Sequence, residues 1–112
     1  MKVGVMLPVG NHAGVPQPWS VTLAMAKRAE ELGLDSLWVP DHTLFRFPGE
    51  PERGAFEAWS VVSALATATT TIPLGTLVLG LRFRNPALLA KMAATTDEIS
   101  GGRLTLGVGA GW

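Results

Sequence analysis

The sequence predicts an α/β fold in which strand and helix alternate three times and a fourth strand closes the series. Three observations predict it. Short apolar runs stand isolated between turn-rich segments, helical periodicity fills the intervals between them, and Gly or Pro punctuates the junctions. The composition agrees: of 112 residues, 47% are hydrophobic and only 16% charged, with thirteen Gly and eight Pro. Surface-rich helical proteins carry more charge; buried parallel strands joined by tight turns carry less.

Lys2 to Leu7 is a short, Val-rich run stopped by Pro8, which reads as a buried strand. Pro8 to Pro18 is a loop. From Trp19 to Leu32 the apolar positions Val21, Met25, Ala29 and Leu32 recur at helical spacing, and Gly33 stands where a helix C-cap belongs. Ser36 to Val39 is the second strand, with Trp38 expected in the core. Pro40 to Phe56 is a 17-residue connection, and loops of that length inside a compact domain are usually functional. Ala58, Val61, Leu65 and Ala68 mark the second helix, and Pro73 to Leu79 the third strand. Asn85 is a suitable N-cap with Pro86 at the first helical position, so a third helix runs from there to before Gly101-Gly102. Arg103 to Val108 is the fourth strand. Asp97 and Glu98 oppose the dipole at the end of the third helix, and an ion pair to Arg103 across the Gly-Gly turn is expected. Four parallel strands with three right-handed crossovers follow. Both an open doubly wound sheet and the N-terminal half of a (β/α)8 TIM barrel fit that order, and the pattern alone leaves both open. A whole barrel needs about 250 residues, so on the barrel reading this chain could supply only half of one.

Composition excludes several function classes. Nine Lys and Arg balance nine Asp and Glu, which leaves no basic surplus for nucleic acid. The absence of cysteine removes a disulfide framework, a thiolate metal cluster and a cysteine nucleophile. Ala58 to Leu81 carries no charge over 24 residues, long enough to span a bilayer, but Thr69-Thr70-Thr71, Pro73 and two glycines place a turn in its middle. Val3 to Leu7 is too short for the apolar region of a signal peptide. A cytoplasmic chain with no membrane partner is expected.

Parallel sheets bind ligands at the C-terminal ends of their strands. Asp41-His42 is the one acid–imidazole pair and falls at the end of the second strand. Such a histidine can act as a general base, its environment set by the carboxylate; a capping Asp beside an uninvolved loop His is the plainer alternative. His12 and His42 with Asp41 show no metal-ligand spacing, so no metal site is expected. Gly107, Gly109 and Gly111 resemble a dinucleotide-binding loop, but Trp112 stands where a further glycine is required. These glycines serve either close packing or the approach of a flat ligand to backbone. Phe45 and Phe47, flanking Arg46 in the long connection, suit a lid over a ligand or packing onto a missing partner.

Ala29 to Val39, Pro40-Asp41-His42, Leu74 to Leu79, Arg84-Asn85-Pro86, Leu89-Ala90-Lys91 and Ser100 to Trp112 together resemble the start of the bacterial-luciferase-like family of flavin- and deazaflavin-dependent oxidoreductases and monooxygenases. The resemblance implies a TIM barrel with FMN or coenzyme F420 at its C-terminal mouth, and the Pro-Asp-His and Gly-Ala-Gly-Trp forms are closer to the F420-using branch. It implies that His42 is the catalytic base toward a small hydroxyl substrate and that Asp41 lies on the cofactor side. It implies a bulge with a non-proline cis peptide at Leu77-Val78 behind the deazaflavin, and backbone of Ala110 and Gly111 along the cofactor. Residues 1–112 then form a partial barrel domain, and its exposed inner face and two unpaired edges require the remaining half of the barrel or self-association. A non-catalytic half-barrel that binds or assembles with a second half is the alternative function.

Overall fold

The computed structural model describes residues 1–10, 15 and 17–111, so His12 and Trp112 lie outside the described residues. Strands β1 (Gly4–Met6), β2 (Ser36–Val39), β5 (Leu74–Thr76) and β7 (Leu104–Thr105) form one parallel sheet in the order β1-β2-β5-β7. Between them run helices α1 (Trp19–Glu31), α2 (Ala58–Ala68) and α3 (Pro86–Ser100). The third and fourth expected strands are each interrupted. β5 gives way to β6 (Leu79–Gly80) and β7 to β8 (Val108–Gly109), and β6 and β8 pair with each other in parallel beyond the main sheet. The break in the third strand is at Leu77-Val78, whose peptide is cis. Within the long connection, β3 (Leu44–Phe45) and β4 (Arg53–Gly54) make a small antiparallel hairpin that the sequence pattern does not announce.

The register fixes which side chains share a face. Leu37 and Leu74 lie in one row with Val5 and Leu104, while Met6, Trp38, Gly75 and Thr105 lie in the alternate row. Leu37, Val39 and Leu74 are buried in one core with Ala26 and Ala29 of α1, Val61, Val62 and Leu65 of α2, and Leu89 of α3. All three helices therefore cover one face, the arrangement of a barrel segment and not of a doubly wound sheet. Met6, in the alternate row, is 50% exposed. Trp38 is half-buried on that same open side, so its expected place in the core is corrected. It lies beside two glycines: a Cβ on Gly4 or Gly75 would stand 2.7 and 3.0 Å from its ring.

The helices begin and end for identifiable reasons. Asn85 accepts hydrogen bonds from the Ala87 and Leu88 N–H groups at 3.0 and 3.2 Å, and Gly101 ends α3 at φ 72°. α2 is capped by Glu57, which accepts from Trp59 N–H and Ser60 N–H at 3.0 and 2.7 Å. The face that α1 buries differs from the expected one. Val21, Met25 and Leu32 are exposed, and Thr22, Ala26 and Ala29 are buried. Small side chains let α1 approach closely, and the Thr22 hydroxyl donates to Pro8 O at 2.8 Å, pinning that face inward.

Two charged side chains bind the turns together. Glu30 accepts the N–H groups of Thr70, Thr71 and Ile72 at 2.9, 2.6 and 2.9 Å. Burial pushes its carboxyl up, but these bonds outweigh that and hold it at about 2. Arg103 makes no ion pair with Asp97 or Glu98 among the described residues, which corrects the expected bridge. Its guanidinium donates instead to Ala66 O, Thr69 O and Ile72 O at 2.8, 3.0 and 2.8 Å. α2 has no basic residue in its last turn, so Arg103, just before β7, supplies positive charge to its orphan carbonyls. Asp97 accepts from Leu104 N–H at 3.2 Å instead. Among the described residues no helix is long and apolar enough to cross a membrane; the uncharged stretch from Ala58 is α2, a turn and two strands.

One-sided packing makes a contrast that can be measured. Leu65→Ala, at a fully buried site, should cost about 2–5 kcal/mol. Met6→Ala on the open face should stay within about 0.5 kcal/mol in the 112-residue chain, with both read from urea unfolding.

Candidate active site

The C-terminal ends of β2, β6 and β8 surround a cavity of about 510 Å³. Asp41 and His42 enter it from the end of β2, Leu77 and Val78 from the break before β6, and Ala110 and Gly111 from the end of β8. Thus the six residues singled out in the sequence line one space. Thr43, Leu44, Gly80, Phe83 and Gly109 complete its wall. Of these, Phe83 gave no sequence signal: it belongs to a single turn of 3-10 helix, Leu81–Phe83, that has no periodicity to read.

One wall is nearly free of side chains, because Gly109, Ala110 and Gly111 offer backbone. The two sequence readings of the glycines now divide by position. A Cβ on Gly107 would stand 2.2 Å from Thr76 O, so Gly107 answers to strand packing. A Cβ on Gly109 would stand 2.8 Å from Val78 Cγ2, and Gly111 adopts φ 82° beneath the Arg82 side chain. Both of the latter border the cavity. Adjoining this wall stand the half-exposed apolar side chains of Leu77 and Val78.

Asp41 is neither a helix cap nor exposed: its side chain is 3% accessible. Its Oδ2 accepts the Gly80 N–H at 2.8 Å and Arg84 Nη1 at 2.6 Å, and its Oδ1 accepts Arg84 Nη2 at 3.1 Å. Arg84, 12% accessible, is also hydrogen-bonded to Glu57. Burial lowers the Arg84 guanidinium, but its two carboxylate partners more than reverse that and raise it above the ordinary value. Burial likewise pushes Glu57 up, but the Ser60 and Trp59 N–H groups, the Ser60 hydroxyl and Arg84 bring it down to about 2. Sequence reasoning missed both Arg84 and Glu57, which lie 43 and 16 positions along the chain from Asp41; no local pattern links residues so placed. The Arg84-Asn85-Pro86 stretch was visible, but only its capping role could be read.

His42 stands beside Phe45, ring centroids 4.8 Å apart and tilted by 39°. Phe45 and Phe47 stack at 6.4 Å, and the Arg53 guanidinium lies 5.4 Å from the Phe47 centroid. The hairpin of the long connection thus presents an aromatic row that begins at the histidine. Among the described residues no group of three acidic or imidazole side chains could hold a metal ion.

The family described as luciferase-like monooxygenase matches this sequence over residues 1–112. An F420-dependent glucose-6-phosphate dehydrogenase of Amycolatopsis mediterranei (strain U-32) is 44% identical over 110 residues, covering 95% of this chain and 32% of the relative. Among solved structures, an F420-dependent secondary alcohol dehydrogenase in complex with an F420-acetone adduct superimposes with a TM-score of 0.77 at 29% identity, over 98% of this chain and 32% of the other. The oxygenating constituent of 3,6-diketocamphane monooxygenase from Pseudomonas putida, a type II Baeyer-Villiger monooxygenase in complex with FMN, gives 0.78 at 26% identity, over 100% of this chain and 30% of the other. The chain spans about a third of the length of these relatives.

The Glu57 carboxyl makes stability depend on pH in a defined direction. Its folded value of about 2 lies below the ordinary 4.5, so its contribution is whole above pH 4.5 and is lost as the pH falls toward 2. Glu57→Gln, which keeps an acceptor oxygen but removes the charge at the α2 N-terminus, should cost about 0.3–1 kcal/mol at pH 7, and should make the acid-side decline shallower. Urea midpoints recorded between pH 7 and pH 2 check both.

Proposed function

The chain belongs to the luciferase-like monooxygenase family, and from that premise we propose that it forms the N-terminal half of a (β/α)8 oxidoreductase that transfers hydride at the barrel mouth, with coenzyme F420 preferred over FMN. The observation that carries this reading is the cavity itself, where a backbone wall of Gly109, Ala110 and Gly111 adjoins apolar Leu77 and Val78, with His42 lining the same space. A flat tricyclic ring would suit such a surface: glycine would let it approach backbone, and the adjoining apolar side chains would shield it from water. The F420-dependence named for two of the relatives supports the preference between cofactors.

When bound, a deazaflavin supplies a ring carbon that accepts hydride. The protein's part is to orient and to move a proton. As hydride leaves the carbon of a small alcohol, the hydroxyl proton must depart, and the imidazole of His42 at the cavity wall takes it as general base. Leu77 and Val78 would shield the bound ring from water, and Asp41 fixes the wall beside the histidine. The unpaired edges of β1 and β7 and the open row of Met6 and Trp38 support completion of the barrel by a second half, supplied by further chain or by another copy. The same open face favours, as a second reading, a half-barrel that serves only to assemble. Titrating the intact protein with F420 and with FMN separates the two, because an assembly module would bind neither.

In the intact enzyme His42→Ala should lower kcat by at least about 10² with cofactor affinity little changed. Turnover within a few-fold of wild type would remove His42 as base. Asp41→Ala should weaken cofactor binding. Gly109→Val, whose new side chain would begin 2.8 Å from Val78 Cγ2, should abolish cofactor binding while far-ultraviolet circular dichroism stays as in wild type.

A further inference from the structure

We infer that Arg84 and Glu57 are positioning residues of this site, acting through Asp41; the inference rests on reading the cavity as a deazaflavin or flavin site. Neither residue lines the cavity. Both are tied to it by one continuous path. Glu57 sits at the first residue before α2, where the Trp59 and Ser60 N–H groups fix its carboxylate. It holds one side of the Arg84 guanidinium. The guanidinium then grips both oxygens of Asp41, at 2.6 and 3.1 Å. Asp41 Oδ2 finally takes the Gly80 N–H at 2.8 Å, two residues beyond the Leu77-Val78 wall. Asp41 also immediately precedes His42. The start of α2 thus sets the placement of two cavity walls through three charged side chains.

The arrangement fixes the plane of the Asp41 carboxylate as well as its position. The groups that face it are Arg84 from the junction before α3, Glu57 from the α2 N-terminus across that guanidinium, His42 next in the chain, and the Gly80 N–H from β6. Arg84 is its direct cationic partner. Deprived of that guanidinium, Asp41 loses the fork that fixes the plane of its carboxylate. The wall beside the cofactor would then lose its placement, which the intact triad maintains.

The test is cofactor affinity, measured by fluorescence titration of the intact enzyme with F420 and separately with FMN. Arg84→Met should weaken binding of the preferred cofactor about tenfold, mid-range for coupled neighbours. Arg84→Lys, which keeps the cation but not the fork, should recover part of the affinity. Once Asp41→Asn is in place, Arg84→Met should cost little more, because the path it acts through is already broken. Glu57→Gln should weaken binding in the same direction by a smaller factor. A lowered Tm for Arg84→Met with wild-type affinity would reduce Arg84 to a structural role and overturn the inference. Where Arg84→Met does not fold, unchanged affinity in both Arg84→Lys and Glu57→Gln overturns it equally. A wild-type enzyme that binds neither cofactor removes the reading of the cavity and this inference with it; wild-type binding with indifferent variants removes the inference alone.

Discussion

A β-strand offers its side chains to two sides in turn, and in β2 that alternation organises both the core and the site. Leu37 and Val39 face the helices and are fully buried; Trp38 between them faces the open side. Carried past Pro40, the same alternation turns Asp41 toward the helix layer and His42 away from it. Asp41 meets the guanidinium that stands between the starts of α2 and α3. His42 meets the aromatic row of the hairpin and the cavity. A one-residue slip of β2 would bury Trp38 and exchange the two roles, so register is fixed by core packing and chemistry inherits it.

The ion pair at the end of β2 is not there for stability in any simple sense. Desolvating a carboxylate and a guanidinium costs several kcal/mol each, and a well-packed apolar pair would often do as well. What the charges add is geometry. A bidentate fork specifies distance and plane together, and the Gly80 N–H bonded to the same carboxylate transmits that plane to the β6 backbone. A hydrophobic contact has no such direction. Placing the costly interaction where strands end and a ligand wall begins is consistent with a requirement for orientation more than for cohesion.

How much was legible in the sequence depended on how local the signal was. Helix ends were readable because a cap is a short-range device: Asn85, Pro86 and Gly101 each act within a few residues of themselves. The order of strands and helices and the parallel sheet followed from periodicity and turn residues. The buried face of α1 was misread because size was taken for burial, whereas close helix packing favours the small Thr22, Ala26 and Ala29. Arg103 was assigned to the nearest acids in sequence; its partners are carbonyls at the end of α2, more than thirty residues back. The resemblance to a family located the cavity residues and the cis peptide, but not Arg84 or Glu57, whose link to Asp41 exists only after the chain has folded. The hairpin of β3 and β4 was invisible because two-residue strands carry no period.

The same alternation explains why the fold looks unfinished from one side only. The helix-facing row is sealed, so the three helices and four sheet strands already share a continuous core. The opposite row mixes Met6 and Trp38 with Gly4 and Gly75, large side chains beside positions that have none. In a closed barrel the interior is filled by layers drawn from alternate strands, and such a mixture of sizes lets side chains from across the barrel interdigitate. The same row carries Ser36 and Thr105 as well. A row of this mixture suits the inner layer of a barrel, and the cavity lies where β2 leaves it.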